Sequence, residues 1–142
     1  MNIQNANWKP TTESIVDRAR KIAPLVRAEA LESERIGTMT PNVVAAMKEQ
    51  GMFWMLVPRS LGGSQSRMSE CMEAWEEISA ADASAGWSLM ANATGTAAAT
   101  AFVSDEALAT IYGGSEMPIM AGMLGPGGTS VETTEVTTEL IA

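Results

Sequence analysis

The residue types missing from this 142-residue sequence narrow its chemistry before any that are present. There is no histidine and a single cysteine, Cys71. Without an imidazole the usual general base and the commonest metal ligand are gone, so Ser-His-Asp or Cys-His catalysis and ordinary zinc chemistry are closed to this chain alone. No catalytic residue and no metal site is therefore assigned. Cys71 lies at helical spacing among Met68, Met72 and Trp75 and reads as a small buried hydrophobe. One cysteine also excludes an internal disulfide, in keeping with a reducing compartment. The pocket-lining candidates that remain are Trp87, Ser88 and Asn92. Ser88 and Asn92 are four residues apart, hence neighbours on one helical face, and with the adjacent indole they offer a hydroxyl and an amide to a bound molecule. The competing structural account is that Trp87 packs in the core while Ser88 bonds back to its own helix. Asn92-Ala93-Thr94 is formally a glycosylation sequon, but a helix-embedded site in a cytoplasmic protein makes it irrelevant.

Charge excludes further classes. A formal net charge of -8 argues against a nucleic-acid backbone as partner, because such a site needs clustered Lys and Arg. Arg18, Arg20, Lys21 and Arg27 do gather, but their helix has an apolar opposite face, so a solvated face is expected. No apolar run approaches the roughly 18 residues that span a bilayer, and the first residues carry no secretory pattern. A cytoplasmic location without membrane contact is the expectation.

The elements that must position these residues are helical. Ile15, Ala19, Ile22, Val26 and Ala30 form one amphipathic stripe, capped by Thr11 or Thr12 and kinked or broken at Pro24. Thr40-Pro41 opens a short helix with Val43, Val44 and Met47 inward, ending at a left-handed Gly51. Residues 52–57 are continuously apolar, a buried extended or tightly turned connector, and Leu61-Gly62-Gly63 is a turn. A third helix over about 66–81 turns Met68, Cys71, Met72, Trp75 and Ile78 inward, and Asp82 caps a fourth, 83 to about 101. With no charge on any side, the fourth helix should be buried all round, its Ala and Gly residues letting neighbouring backbones come close. Ser104-Asp105-Glu106 opens a fifth helix closed by Gly113-Gly114, and the apolar run 118–124 before Gly125-Pro126-Gly127-Gly128 reads as a strand. The expected fold is all-α: a helical bundle of about five helices over residues 1–117, followed by a short β segment within 118–142.

The block Leu-Val-Pro-Arg-Ser-Leu-Gly-Gly at 56–63, and the block at 78–90 with its Ala-Ala-Asp-Ala-Ser-Ala-Gly-Trp joint, resemble the N-terminal domain of the acyl-CoA dehydrogenase superfamily. The likeness runs from about Ala19 to Gly128, and Ser84-Ala85-Gly86-Trp87-Ser88-Leu89-Met90 is most similar to the flavin-dependent hydroxylase branch. The resemblance implies an all-helical first domain, then a small β-barrel, then a second bundle, with FAD or FMN between the last two and against the first. It implies a monooxygenase acting on a phenolic or steroid-like substrate with reduced flavin from a separate reductase. The charge-free fourth helix suits one wall of such a water-excluding pocket. The family's bases, a Glu or a His, would come mostly from regions beyond Gly128, so the chain alone is expected to be inactive and not to bind flavin. The alternatives are an acyl-CoA dehydrogenase fragment and a non-catalytic helical dimerisation module.

After Gly128 the family pattern continues with a strand and a Gly-Gly-Tyr-type hairpin, whereas this sequence gives Val-Glu-Thr-Thr-Glu-Val-Thr-Thr-Glu-Leu-Ile-Ala. The expectation is a β domain cut short at its first strand, with a tail from a shifted reading frame: codons for residues 132–137 can be chosen that read Asp-Asp-Gly-Gly-Tyr from their third base. An open strand edge and uncovered fourth helix would then favour a homo-oligomer.

Overall fold

The computed structural model describes residues 12–114 and 116–122. Helix α1, Ile15–Ile36, begins at Ser14, whose hydroxyl accepts the Asp17 N–H at 3.1 Å, rather than at Thr12, and Thr11 lies outside the described residues. It runs unbroken through Pro24. That ring is exposed, while Ile22 and Val26 beside it are buried, so core packing outweighs the one missing backbone donor. Gly37, at φ 75°, ends the helix by returning its N–H to Ser33 and Glu34.

Helix α2, Pro41–Glu49, starts as the sequence indicates: Thr40 accepts the Val43 N–H, and proline sits in the first turn. Val43 and Met47 are buried, while Val44 is only half-buried. Glu29 of α1 accepts the Thr40 hydroxyl and the Asn42 amide, and these two bonds hold its carboxyl below the usual carboxylate range.

The apolar connector takes the turned form. After Gly51 at φ 65°, residues Met52–Trp54 make one 3-10 turn, and Arg59–Leu61 make another that ends at Gly62, φ 89°. Met52, Phe53, Trp54, Met55 and Val57 are all buried, because the turn winds between α1, α2 and the fourth helix and so meets core on every side.

Helix α3, Met68–Ala81, packs along α1 and beside α4, Ala83–Phe102. Arg20 bridges α1 to Glu77 at 2.9 Å, and Arg27 donates to the Ala80 carbonyl at 3.1 Å. The buried stripe of α3 is Cys71, Ala74 and Ile78. Met68 and Met72 are 54% and 61% exposed and Trp75 is half-buried, which corrects the expectation that all three face inward. The stripe is set by how close α1 and α4 approach, and Ala74 fits that approach better than a methionine.

Helix α5, Asp105–Tyr112, begins at Ser104, which caps the Ala107 N–H, and ends at Gly113. Residues 117–122 form no strand. They lie across the bundle, with the Trp54 indole donating to the Pro118 carbonyl at 2.7 Å and the Met120 N–H to the Thr96 hydroxyl at 2.9 Å. The expected strand thus does not form over its described part. A ladder needs a neighbouring strand, and here side chains take those backbone groups instead. Residues 123–142, with the Gly-rich turn and tail, lie outside the described residues. No helix among the described residues is long and apolar enough to cross a membrane.

Candidate functional site

Helix α4 carries the candidate site. Asp82 initiates it, accepting the Ser84 N–H at 2.9 Å and the Ser84 hydroxyl at 2.8 Å. Its inward face is Ala85, Gly86, Leu89, Ala93 and Thr96. Gly86 lies so close to α3 that an added Cβ would stand 2.8 Å from the Ser79 Cα. The opposite face is not buried, contrary to the expectation from its lack of charge. Trp87 is 69% exposed, Phe102 is 88% exposed, and Ala91, Thr94 and Ala98 are exposed between them at helical spacing. The described residues supply cover for one side only, and periodicity cannot detect the missing half when both faces are apolar.

Trp87 therefore does not pack in the core. Ser88, half-buried, lines a cavity of about 510 Å³ between the C-terminal end of α1 and the start of α4, together with Leu31, Ser33, Met39, Asp82 and Ser84. Asn92 donates through Nδ2 to the Ser88 carbonyl at 2.8 Å. The structure thus joins Ser88 and Asn92 by a bond within the helix, with the amide, not the serine, making the return contact. Thr94 likewise donates to the Met90 carbonyl at 2.8 Å. The outward face offers apolar surface whose Thr94 hydroxyl donor is already taken.

No acid–base group lies on α4, which has no charged residue from 83 to 102. Burial, with the Glu70 charge adding to it, pushes the Cys71 thiol up to about 11, which removes it as a nucleophile at neutral pH. Burial also pushes the Tyr112 phenol up to about 12; its hydroxyl donates to the Thr96 carbonyl at 3.2 Å and serves packing. No group of His, Cys, Asp or Glu that could hold a metal occurs among the described residues.

A five-helix array with this turned, buried connector and a tight α3–α4 corner can be matched to known families. Residues 9–115 match the family described as acyl-CoA dehydrogenase, N-terminal domain. The chain belongs to that family. Three relatives carry hydroxylase or monooxygenase names. The indole-3-acetate monooxygenase of Pseudomonas putida is 32% identical over 117 residues, 82% of this chain and 28% of its own. The FADH(2)-dependent resorcinol hydroxylase, oxygenase component, of Rhizobium sp. (strain MTP-10005) is 36% identical over 84 residues, 59% of this chain and 20% of its own. The pigment production hydroxylase of Rhodococcus erythropolis is 30% identical over 76 residues, 54% of this chain and 19% of its own. The chain thus spans less than a third of the length of these relatives.

One feature of this domain escaped the sequence reading. Arg18, expected on a solvated face with Arg20, Lys21 and Arg27, is only 2% exposed, whereas the other three are exposed. It donates to the Gln50 carbonyl at 2.7 Å and to the Ser64 hydroxyl at 3.2 Å, tying α1 to the end of α2 and to the loop that follows the connector. Burial lowers its pKa from the ordinary guanidinium value, the nearby Glu13 charge opposing that shift. The signal was present in the sequence: Arg18 stands between Ile15 and Ile22 on the apolar side of α1.

Proposed function

We propose that this domain forms one wall of the active site of a flavin-dependent monooxygenase, an oxygenase component that hydroxylates a phenolic or steroid-like substrate with reduced flavin delivered by a separate reductase. The carrying observation is the outward face of α4, uncharged and apolar from Trp87 to Phe102. The hydroxylase and monooxygenase names of the three relatives support the same reading.

The residues present fit a flavin, FAD or FMN, on one count and not on another. Trp87 and the alanines below it suit the cover of a planar ring and the exclusion of water around it, with Ser88, which lines the neighbouring cavity, as the polar contact. Helix α4 has no cation for a flavin phosphate. The domain therefore walls the cofactor, and other parts of a complete enzyme hold it. When bound, the flavin supplies the oxygen-activating redox chemistry. In this reading Trp87, Ser88 and Asn92 line the pocket, residues 1–117 act as the helical unit, residues 118–142 begin the next, and the protein works in the cytoplasm.

Two measurements test the proposal. The 142-residue chain titrated with oxidised and reduced FAD and FMN at no more than about 10 μM gives no change in flavin absorbance; tight binding would refute the division of labour. Residues 9–115 exchanged into the Pseudomonas putida monooxygenase give a chimera that still oxygenates its substrate when reduced flavin is supplied. A folded, flavin-loaded chimera that has lost oxygenation overturns the proposal. With its α4 face uncovered, the isolated chain also self-associates, and a clean monomer by light scattering at high concentration argues against that.

A further inference from the structure

A second cavity, of about 770 Å³, opens where the N-termini of α1 and α3 meet the loop 58–66, and no residue of α4 lines it. Three of the chain's nine basic residues do: Arg18, Arg59 and Arg67. Two of their guanidinium groups converge on one residue. Arg18 donates to the Ser64 hydroxyl at 3.2 Å, and Arg59 donates through Nε to the Ser64 carbonyl, also at 3.2 Å. Arg18 has the Glu13 charge beside it, so the cation left to be balanced here is Arg59. The carboxylates on that wall are Glu13 and Glu70. Glu13 stands near Arg18, and Glu70 accepts the Arg67 backbone N–H at 3.0 Å. Neither Arg59 nor Arg67 makes an ion pair among the described residues.

The wall is also fixed in advance. Backbone bonds from Gly63 to Pro58, Ser64 to Trp54, Gln65 to Val57 and Ser66 to Met55 hold the loop against the core. Ser64 and Ser66 line the cavity, and the N-termini of α1 and α3, capped by Ser14 and Glu70, border it. A chain of net charge -8 thus carries one built concavity with an excess of cations and of donors.

We propose that this cavity is an oxyanion site for phosphate or sulfate, free or as the monoester of a small molecule, contacted by Arg59 and Arg67. Arg18 is a positioning residue that holds Ser64 in place. The site is separate from the α4 face and does not depend on the oxygenase reading.

The test is calorimetric titration of the 142-residue chain with inorganic phosphate, sulfate and phenyl phosphate against chloride at matched ionic strength. Saturable binding with a Kd of about 1 mM or tighter is expected for the oxyanions. A tighter ester identifies a monoester ligand, and equal affinity identifies the free anion. The double variant R59A/R67A alters two exposed side chains and should stay folded by circular dichroism, with affinity reduced about tenfold or more. R35A, whose arginine pairs with Glu32 on the surface, leaves binding unchanged. A non-saturating response, an equal response to chloride, or binding that survives intact in R59A/R67A overturns the proposal.

Discussion

Replacing Gly86 by alanine sets two well-measured effects against each other at one atom. Glycine inside a helix is about 1 kcal/mol less favourable than alanine, so on propensity alone G86A would stabilise α4. The geometry opposes it: the new Cβ would meet the Ser79 Oγ at 2.0 Å and the Ser79 Cα and Cβ at 2.8 Å. The hydroxyl can swing away, but the Cα belongs to the α3 backbone, so the two helices must separate. Forcing a methyl into a packed contact costs about 1–3 kcal/mol, because Ile78, Leu89 and their neighbours lose contact together. Taking the upper part of that range for a backbone clash, the net is a destabilisation of about 1–2 kcal/mol. Urea unfolding followed by circular dichroism reads it as a lower midpoint at unchanged slope, and a thermal scan as a drop of several degrees, about 3–8 °C. The double variant G86A/S79G recovers only part of the loss, since the 2.8 Å approach to Cα remains. If G86A proves more stable than the parent, the close α3–α4 corner is not the reason for the glycine.

Thr96→Val keeps the shape but removes the acceptor of the Met120 N–H; about 1–2 kcal/mol of stability and the exchange protection of that amide should be lost, while Thr96→Ser retains the protection. Cys71 should resist iodoacetamide at pH 8 until the chain is unfolded, and, with its folded pKa raised, the stability it contributes is present below the ordinary thiol value and lost as pH rises toward about 11. Rapid labelling of the folded chain at pH 8 would contradict this. Glu29 has a depressed pKa, so the advantage of the parent over Glu29→Gln exists above the unfolded carboxylate value and fades as pH falls through the folded one; an advantage that grows on acidification would refute it. Met72→Gln, on an exposed position, should change stability by no more than about 0.5 kcal/mol, which urea midpoints can check.

What the sequence made legible was chemistry confined to a few neighbouring residues. Thr40-Pro41, Asp82 and Ser104 open helices as read, because a cap bonds an N–H two or three positions away. Gly51 takes the left-handed conformation expected of it. The order and number of helices followed from such signals and from the α1 stripe. Quantities decided at a distance were not legible. Met68 and Met72 face water although their types suit a core, and Ala74 is buried although its type says little. Residues 118–122 lacked a partner for a ladder, which no local pattern records. In the candidate site, the sequence indicated that Ser88 and Asn92 are neighbours. It could not indicate that the amide spends its N–H on the Ser88 carbonyl, or that Trp87 stays outside. The arginine-lined cavity joins residues from positions 18, 59 and 67 and exists only once α1 lies on the connector.

The openness of the α4 face also makes the domain its own optical probe. Its described tryptophans occupy three different environments: Trp54 is buried with its indole N–H bonded, Trp75 is half-buried, and Trp87 stands in water. Emission from Trp87 should therefore lie to the red of that from Trp54, and a Trp87→Phe difference spectrum isolates it. Whatever comes to cover α4 must dry that indole and move its emission to the blue. A simple fluorescence reading can thus report when that face is covered, and by its size and quenching distinguish a protein surface from a flavin ring.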